Sequence, residues 1–229
     1  GKILAESFKA EIQKRNLELV SEDYYEEGSN DFSAHFLNLR TKLLERHLEK
    51  TALERGLDYK GSISRSDSLK YLDSTLSVGG LFIPGDADDI VMLAPQVYFH
   101  RIRTQMLGSN GWHNPKVIKD GKRYISNTII STSFELNQNQ KMWLDFKSAY
   151  KSRFNAEPDR ISALGYDAAV LVMKALASAG NDPSKINENL RKTQNYQGLS
   201  GLISFDGVTG ENTEASILKV TEGGFLRVQ

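Results

Sequence analysis

Val78-Gly79-Gly80-Leu81-Phe82-Ile83-Pro84-Gly85-Asp86 is an apolar run of strand length that stops at Pro-Gly and meets an acidic residue. A continuous apolar run, unlike an alternating one, suits a strand covered on both faces, as in a parallel sheet. Asp86 then opens a helix-spaced stretch over residues 86–103, in which Pro95 marks a kink or restart. Gln105-Met106-Leu107-Gly108 reads as a second short strand, closing at Ser109-Asn110-Gly111-Trp112.

The same alternation extends in both directions. Upstream, Ile3, Leu4, Phe8 and Ile12 have helical spacing, and residues 17–25 read as a strand. Ser29-Asn30-Asp31 offers capping oxygens to a helix carrying Phe32, Phe36, Leu39 and Leu43 on one stripe, continued by charged residues to 55. Residues 58–67, rich in Gly and Ser, read as a loop. Downstream, residues 124–134 are β-rich by content. Helix patterns follow at 140–154, 161–180 and 183–193, then short strands at 202–206, 216–220 and 225–228. Helices alternating with strands predict an α/β fold, a parallel sheet flanked by helices with right-handed crossovers. Ligands in such sheets bind beyond the carboxyl ends of the strands. That rule singles out the exits at Pro84-Gly85-Asp86 and Ser109-Asn110-Gly111-Trp112.

Composition narrows the function. Lys plus Arg and Asp plus Glu are both 29, so no basic excess exists to neutralise the phosphates of a nucleic acid. The absence of cysteine removes disulfides, thiol nucleophiles and thiolate metal sites. No apolar run approaches the roughly 20 residues of a membrane helix. The four histidines, His35, His47, His100 and His113, lack the i, i+4 pairing of a helical metal site. Neither a nucleophile elbow nor a phosphate loop occurs, so no motif points to catalysis, a metal or a cofactor, although carboxylate pairs that assemble in space leave no sequence signature.

Several segments, in order, resemble the type I periplasmic solute-binding proteins, the family of the branched-chain amino-acid receptors. They are Leu4-Ala5-Glu6-Ser7-Phe8-Lys9, the run 17–25, Ser29-Asn30-Asp31-Phe32-Ser33, Leu81-Phe82-Ile83-Pro84-Gly85 and Leu107-Gly108-Ser109-Asn110-Gly111-Trp112. Phe146-Lys147-Ser148-Ala149-Tyr150-Lys151, Gly165-Tyr166-Asp167-Ala168-Ala169 and Gly198-Leu199-Ser200-Gly201-Leu202-Ile203-Ser204-Phe205-Asp206 complete the set. The resemblance implies two α/β lobes joined by a three-strand hinge, with a small polar, amino-acid-like solute held between them for an ABC transporter. It implies a periplasmic or cell-envelope lipoprotein location and ligand contacts from Asp86, Asn110, Trp112 and Tyr166. Residues 1–130 and 200–229 would form the second lobe, and residues 135–198 would be helices returning to a first lobe most of which is missing here. A chain opening inside a helix pattern fits such a fragment. That missing lobe, or a second copy of the chain, would then cover residues 161–180, where Leu164, Leu171, Val172 and Leu176 form a face made for a sheet.

Two departures stand out. Residues 42–72 exceed the usual helix and loop and read as a solvated excursion or a partner contact. Asn110 stands where amino-acid receptors carry a carboxylate for the ligand's ammonium, which leaves Asp86 as the candidate charge. The run Ala94-Pro95-Gln96-Val97-Tyr98-Phe99 also resembles the lipoprotein-type activators of penicillin-binding proteins, which implies a cell-envelope synthase as the alternative partner. Each site residue has a plainer role as well: helix capping for Asp86, a left-handed turn for Asn110, a core plug for Trp112 and a hinge anchor for Tyr166.

Overall fold

A computed structural model describes residues 1–57, 71, 73–135 and 141–228. The quoted apolar run forms β1 (Leu76–Ile83), parallel to β2 (Ile102–Gly108), which is itself parallel to β3 (Ile129–Thr132). With β6 (Ser216–Thr221) and β7 (Gly224–Arg227) these make a five-stranded sheet in the order β1-β2-β3-β6-β7. The β6–β7 pair is antiparallel, so the sheet is mixed rather than wholly parallel. Helices α1 (Lys2–Lys14), α2 (Ser33–Glu54), α3 (Ala87–Phe99) and α4 (Pro115–Gly121) accompany it. Further along lie α5 (Lys141–Phe154), α6 (Arg160–Ala179) and α7 (Pro183–Arg191), then the two-residue strands β4 (Tyr196–Gln197) and β5 (Leu202–Ile203).

The chain divides into two compact units, Gly1–Ile130 with Leu218–Val228, and Ser131–Ile217. It passes from one to the other within β3 and again within β6. Residues 200–217 therefore group with α5, α6 and α7.

In the first unit the stripe Phe32, Phe36, Leu39 and Leu43 is buried as its spacing predicts, against Ile90, Ala94 and Val97 of α3 and Met106 of β2. Each such side chain contributes roughly 1.5–3 kcal/mol relative to exposure. Phe32, not a capping side chain, holds the N-cap position of α2; Asp31, one residue earlier, accepts the Ser33 amide through Oδ1 at 2.9 Å. Pro95 is carried inside α3, and the helix ends at Phe99; Arg101 then takes a left-handed φ of 52° and β2 begins at Ile102, earlier than predicted.

Two expectations are corrected, and a third falls outside the described residues. Residues 17–25 form no strand. Side chains tie that segment down instead: Lys9 to Glu22 at 2.5 Å, Arg46 to Glu18, and Val20 and Tyr25 against the core. Residues 124–134 are β only at Ile129–Thr132, because Lys122–Ile125 closes a 3-10 turn after the unforeseen α4. The predicted loop at 58–67 lies outside the described residues, as does much of the 42–72 excursion; its first part continues α2 to Glu54.

The second unit has its own small core of Phe134, Trp143, Ala163 and Leu199. A capping box at Asp159 and Ser162 starts α6, and Gly180, at a φ of 62° that disfavours a side chain, ends it. Ala163, Asp167, Leu171 and Ala175, spaced by four, are its buried face. Leu171 thus points inward, contrary to its assignment to the waiting apolar face. Leu164, Val172 and Leu176 are exposed as that reading requires, joined by Ile161 at 70% and Met173 at 59%. An 18-residue window of this 20-residue helix has a mean hydropathy of 1.4, enough by length and composition alone for a membrane span, although Asp167 and Lys174 interrupt any continuous apolar run. One face serves the unit's own core and the other is also apolar, so the helix is apolar nearly all round.

Candidate functional site

The two strand exits meet through glycine. A Cβ on Gly111 would stand 2.1 Å from the Gly85 carbonyl oxygen, so the exits touch backbone to backbone. Gly111 has no positive φ; close approach, not turn conformation, requires glycine there. Asn110 likewise has an ordinary φ and begins a 3-10 turn, Asn110–Trp112, so the left-handed role does not describe it.

Trp112 is fully buried, and its indole N–H donates to the Ile83 carbonyl at 2.7 Å, fastening the end of β1 to the turn after β2. A Cβ on Gly108 would lie 2.4 Å from the indole, which shows how tightly the ring fills the space beneath the exits. Trp112 thus lies beneath the exits as a core plug, with its one donor already used.

Asp86 occupies the N-cap position of α3, yet its side chain makes no capping hydrogen bond. Its carboxylate is exposed, and neither it nor the Asn110 amide has a side-chain hydrogen bond among the described residues. The two neighbouring acids are engaged: Asp88 with Lys116, and Asp89 Oδ2 with the Tyr25 hydroxyl at 2.9 Å. Burial first, then the bond to Asp89, push the Tyr25 phenol above its usual range, so it remains the donor to Asp89. Tyr25 also abuts the place a Gly85 Cβ would fill, at 3.0 Å. The sequence reading had it only as part of a strand; an aromatic closing a polar run is no signal for a contact 64 residues away.

Tyr166 belongs to the second unit. It is partly exposed near the start of α6, its ring 5.0 Å from Phe146 of α5. Beside it, Asp167 is buried and accepts three hydrogen bonds: Leu199 N at 2.8 Å, Ser200 N at 2.7 Å and Ser200 Oγ at 2.6 Å. A Cβ on Gly198 would fall 2.5 Å from Asp167 Oδ2. Asp167 therefore joins two of the quoted segments, Gly165-Tyr166-Asp167 and Gly198-Leu199-Ser200. Lys174 lies over the Tyr196 ring at 4.5 Å, and burial, then Asp167 and Tyr166, raise the Tyr196 phenol. Among the described residues no group of three or more His, Asp or Glu is arranged to hold a metal ion. A shallow depression lined by Ser77, Val78, Gly79, Arg103, Thr104 and Gln105 lies at the opposite ends of β1 and β2, where the β1–β2 register shifts between Ser77 and Gly80.

The profile of the periplasmic binding protein family matches residues 1–224. Among solved structures, the chain is similar to the leucine binding protein LivK of Thermotoga maritima, at 21% identity and a TM-score of 0.63, covering 99% of this chain and 55% of that one. The branched-chain amino acid transporter substrate binding protein LivJ of Streptococcus pneumoniae, in complex with isoleucine, matches at 19% identity and a TM-score of 0.56, over 95% and 55% of the two chains. A solute binding protein of an ABC transporter from R. palustris, in complex with benzoate, matches at 10% identity and a TM-score of 0.60, over 97% and 53%. The chain thus spans about half the length of these proteins. A search of the curated proteins finds no match.

Proposed function

We propose, from the premise that this chain belongs to the periplasmic binding protein family, that it binds a small polar, amino-acid-like solute for an ABC transporter. Membership of that family supports a location in the periplasm or outside the cell and a role as a receptor. The observation that carries the reading is the pair of exposed, unbonded side chains, Asp86 and Asn110, set on exits that Gly85, Gly111 and Trp112 hold together. Asp86 offers the charge for an ammonium group and Asn110 a neutral donor and acceptor, while Trp112 plugs the core beneath the exits.

The first unit is read as one lobe of the receptor and the second as helices that return to the other. The outer face of α6 supports this. Ile161, Leu164, Val172, Met173 and Leu176 stand exposed, while the charged residues of the helix, Arg160, Asp167 and Lys174, project from its other side. Wet apolar side chains of this size forfeit roughly 1.5–3 kcal/mol each, which a covering β-layer would recover.

A thermal titration tests the ligand reading with L-leucine, L-isoleucine, benzoate and a panel of further amino acids, small peptides and organic acids. One member should stabilise the chain by about 2.7 kcal/mol at a hundredfold excess over its Kd, and Asp86→Ala should abolish the gain. A flat response to every compound refutes it. That result would favour the alternative of a static interaction module for an envelope synthase, to which the exposed Tyr98 and Phe99 of the 94–99 run lend support.

A further inference from the structure

We propose that the buried imidazole of His100 is an acid-sensitive latch, holding α2 against α3 while neutral and releasing them when protonated. His100 follows the last residue of α3, and its amide donates to the Gln96 carbonyl at 2.9 Å. The ring lies flat on Phe36 of α2, centroids 5.4 Å apart and planes 6° from parallel, with Phe99 edge-on at 5.1 Å. Among the described residues its buried Nε2 has no hydrogen-bond partner. A neutral ring tolerates that arrangement, because Nε2 then serves as an idle acceptor among hydrocarbon. A protonated ring would bring a donor and a charge to a place with no acceptor.

The surrounding charges act in the same direction. From α2, the Arg40 guanidinium donates to the carbonyls of His100 (2.8 Å), Tyr71 (2.9 Å) and Ser74 (2.7 Å), placing a permanent cation beside the imidazole. From the segment before β1, the nearest acid to this cluster is the exposed Asp73, which acts on Arg40 and is engaged by Arg101 at 3.1 Å. From α3, residues 90–99 carry no charge, and β2 opens with the apolar Ile102. Burial, then Arg40, lower the proton affinity of His100. The unfolded ring takes up its proton near pH 6.5, before the folded one does. The stabilisation is therefore present in full above about pH 6.5 and is lost as the pH falls below it. The latch acts on the scaffold of the first unit, whether or not that unit binds a solute. A receptor outside the cytoplasm would meet such pH changes directly.

The test needs no ligand. Proton NMR of the unmodified chain follows the four histidines, His35, His47, His100 and His113, from pH 8 to 4.5, with the His100 signal assigned by its loss in His100→Gln. Melting temperatures over the same range compare the parent with His100→Phe, which keeps an aromatic on Phe36 but cannot titrate. A variant lacking the other three imidazoles (His35→Gln, His47→Gln, His113→Gln) isolates the remaining one. His100 should titrate below the ordinary value. The parent's melting point should fall by about 3–5 °C between pH 7 and 5 for each tenfold loss of proton affinity. The three-histidine variant should keep that fall, and His100→Phe should lose it. Titration of His100 at or above the ordinary value overturns the proposal. So does a His100→Phe curve that falls like the parent's.

Discussion

Asp167→Ala offers the sharpest test of how the second unit is held together. The carboxylate is buried, and its two oxygens accept the amides of Leu199 and Ser200 and the Ser200 hydroxyl, all within 2.8 Å. Alanine leaves those donors facing an emptied space. The hydroxyl can rotate toward another acceptor, but two backbone amides cannot, and each buried unsatisfied donor costs about 1–3 kcal/mol. A small cavity adds to this, so the substitution should cost about 3–5 kcal/mol, a large share of a domain's net stability of roughly 5–15 kcal/mol. Asp167→Asn keeps the shape and one acceptor oxygen, and should cost about half as much.

The two tryptophans separate the units: Trp112 lies in the first, while Trp143 lies in the second, in the core cluster that contains Leu199. Labelling with 5-fluorotryptophan gives one fluorine resonance for each, and urea denaturation is read at Trp143. With a slope of about 1.5 kcal/mol per molar urea, the Asp167→Ala midpoint should drop by about 2–3 M. A shift below about 0.3 M would refute the view that this carboxylate organises residues 198–200.

Gly111→Ala should force a Cβ against the Gly85 carbonyl oxygen and spread the two strand exits, at a cost of about 1–3 kcal/mol. Any ligand-induced stabilisation should vanish with it, which denaturation with and without ligand would show. At the turn after β5, the Asp206 carboxylate accepts the Thr209 hydroxyl at 2.6 Å and the amides of Val208, Thr209 and Gly210. Chiefly through Thr209, it is held well below the ordinary carboxylate range. Its contribution is therefore present above the unfolded value, near pH 3.9, and lost as the pH falls toward the folded one. Thr209→Val should move the Asp206 carboxyl titration upward in carbon-13 NMR; an unchanged titration would contradict the assignment.

Periodicity carried much of the architecture. The stripe Phe32, Phe36, Leu39 and Leu43 is buried, β1 falls on the apolar run, and the three helices from α5 to α7 stand where their spacing put them. The helices depend on the local period of 3.6 and β1 on a short apolar run, which any window of sequence displays; that run did not foretell burial, since β1 is an edge strand with only Leu76 and Ile83 buried. Residues 17–25 show the limit. Their composition suits a strand, but a strand exists only if a partner backbone is in register, and side-chain ties to Lys9, Arg46 and Asp89 won instead.

The candidate site divides in the same way. Sequence alone located both exits, because a glycine-marked stop after an apolar run is a local signal, and it left open whether Asp86 was a cap and Trp112 a ligand contact. Tertiary structure supplied the plainer facts: the Asp86 side chain makes no capping bond, and the Trp112 indole N–H donates to the Ile83 carbonyl. It alone disclosed the Tyr25–Asp89 and Asp167–Ser200 pairs, 64 and 33 residues apart. Local propensity is written along the chain; which distant donor finds which acceptor depends on how the chain closes in space, and no spacing rule encodes that.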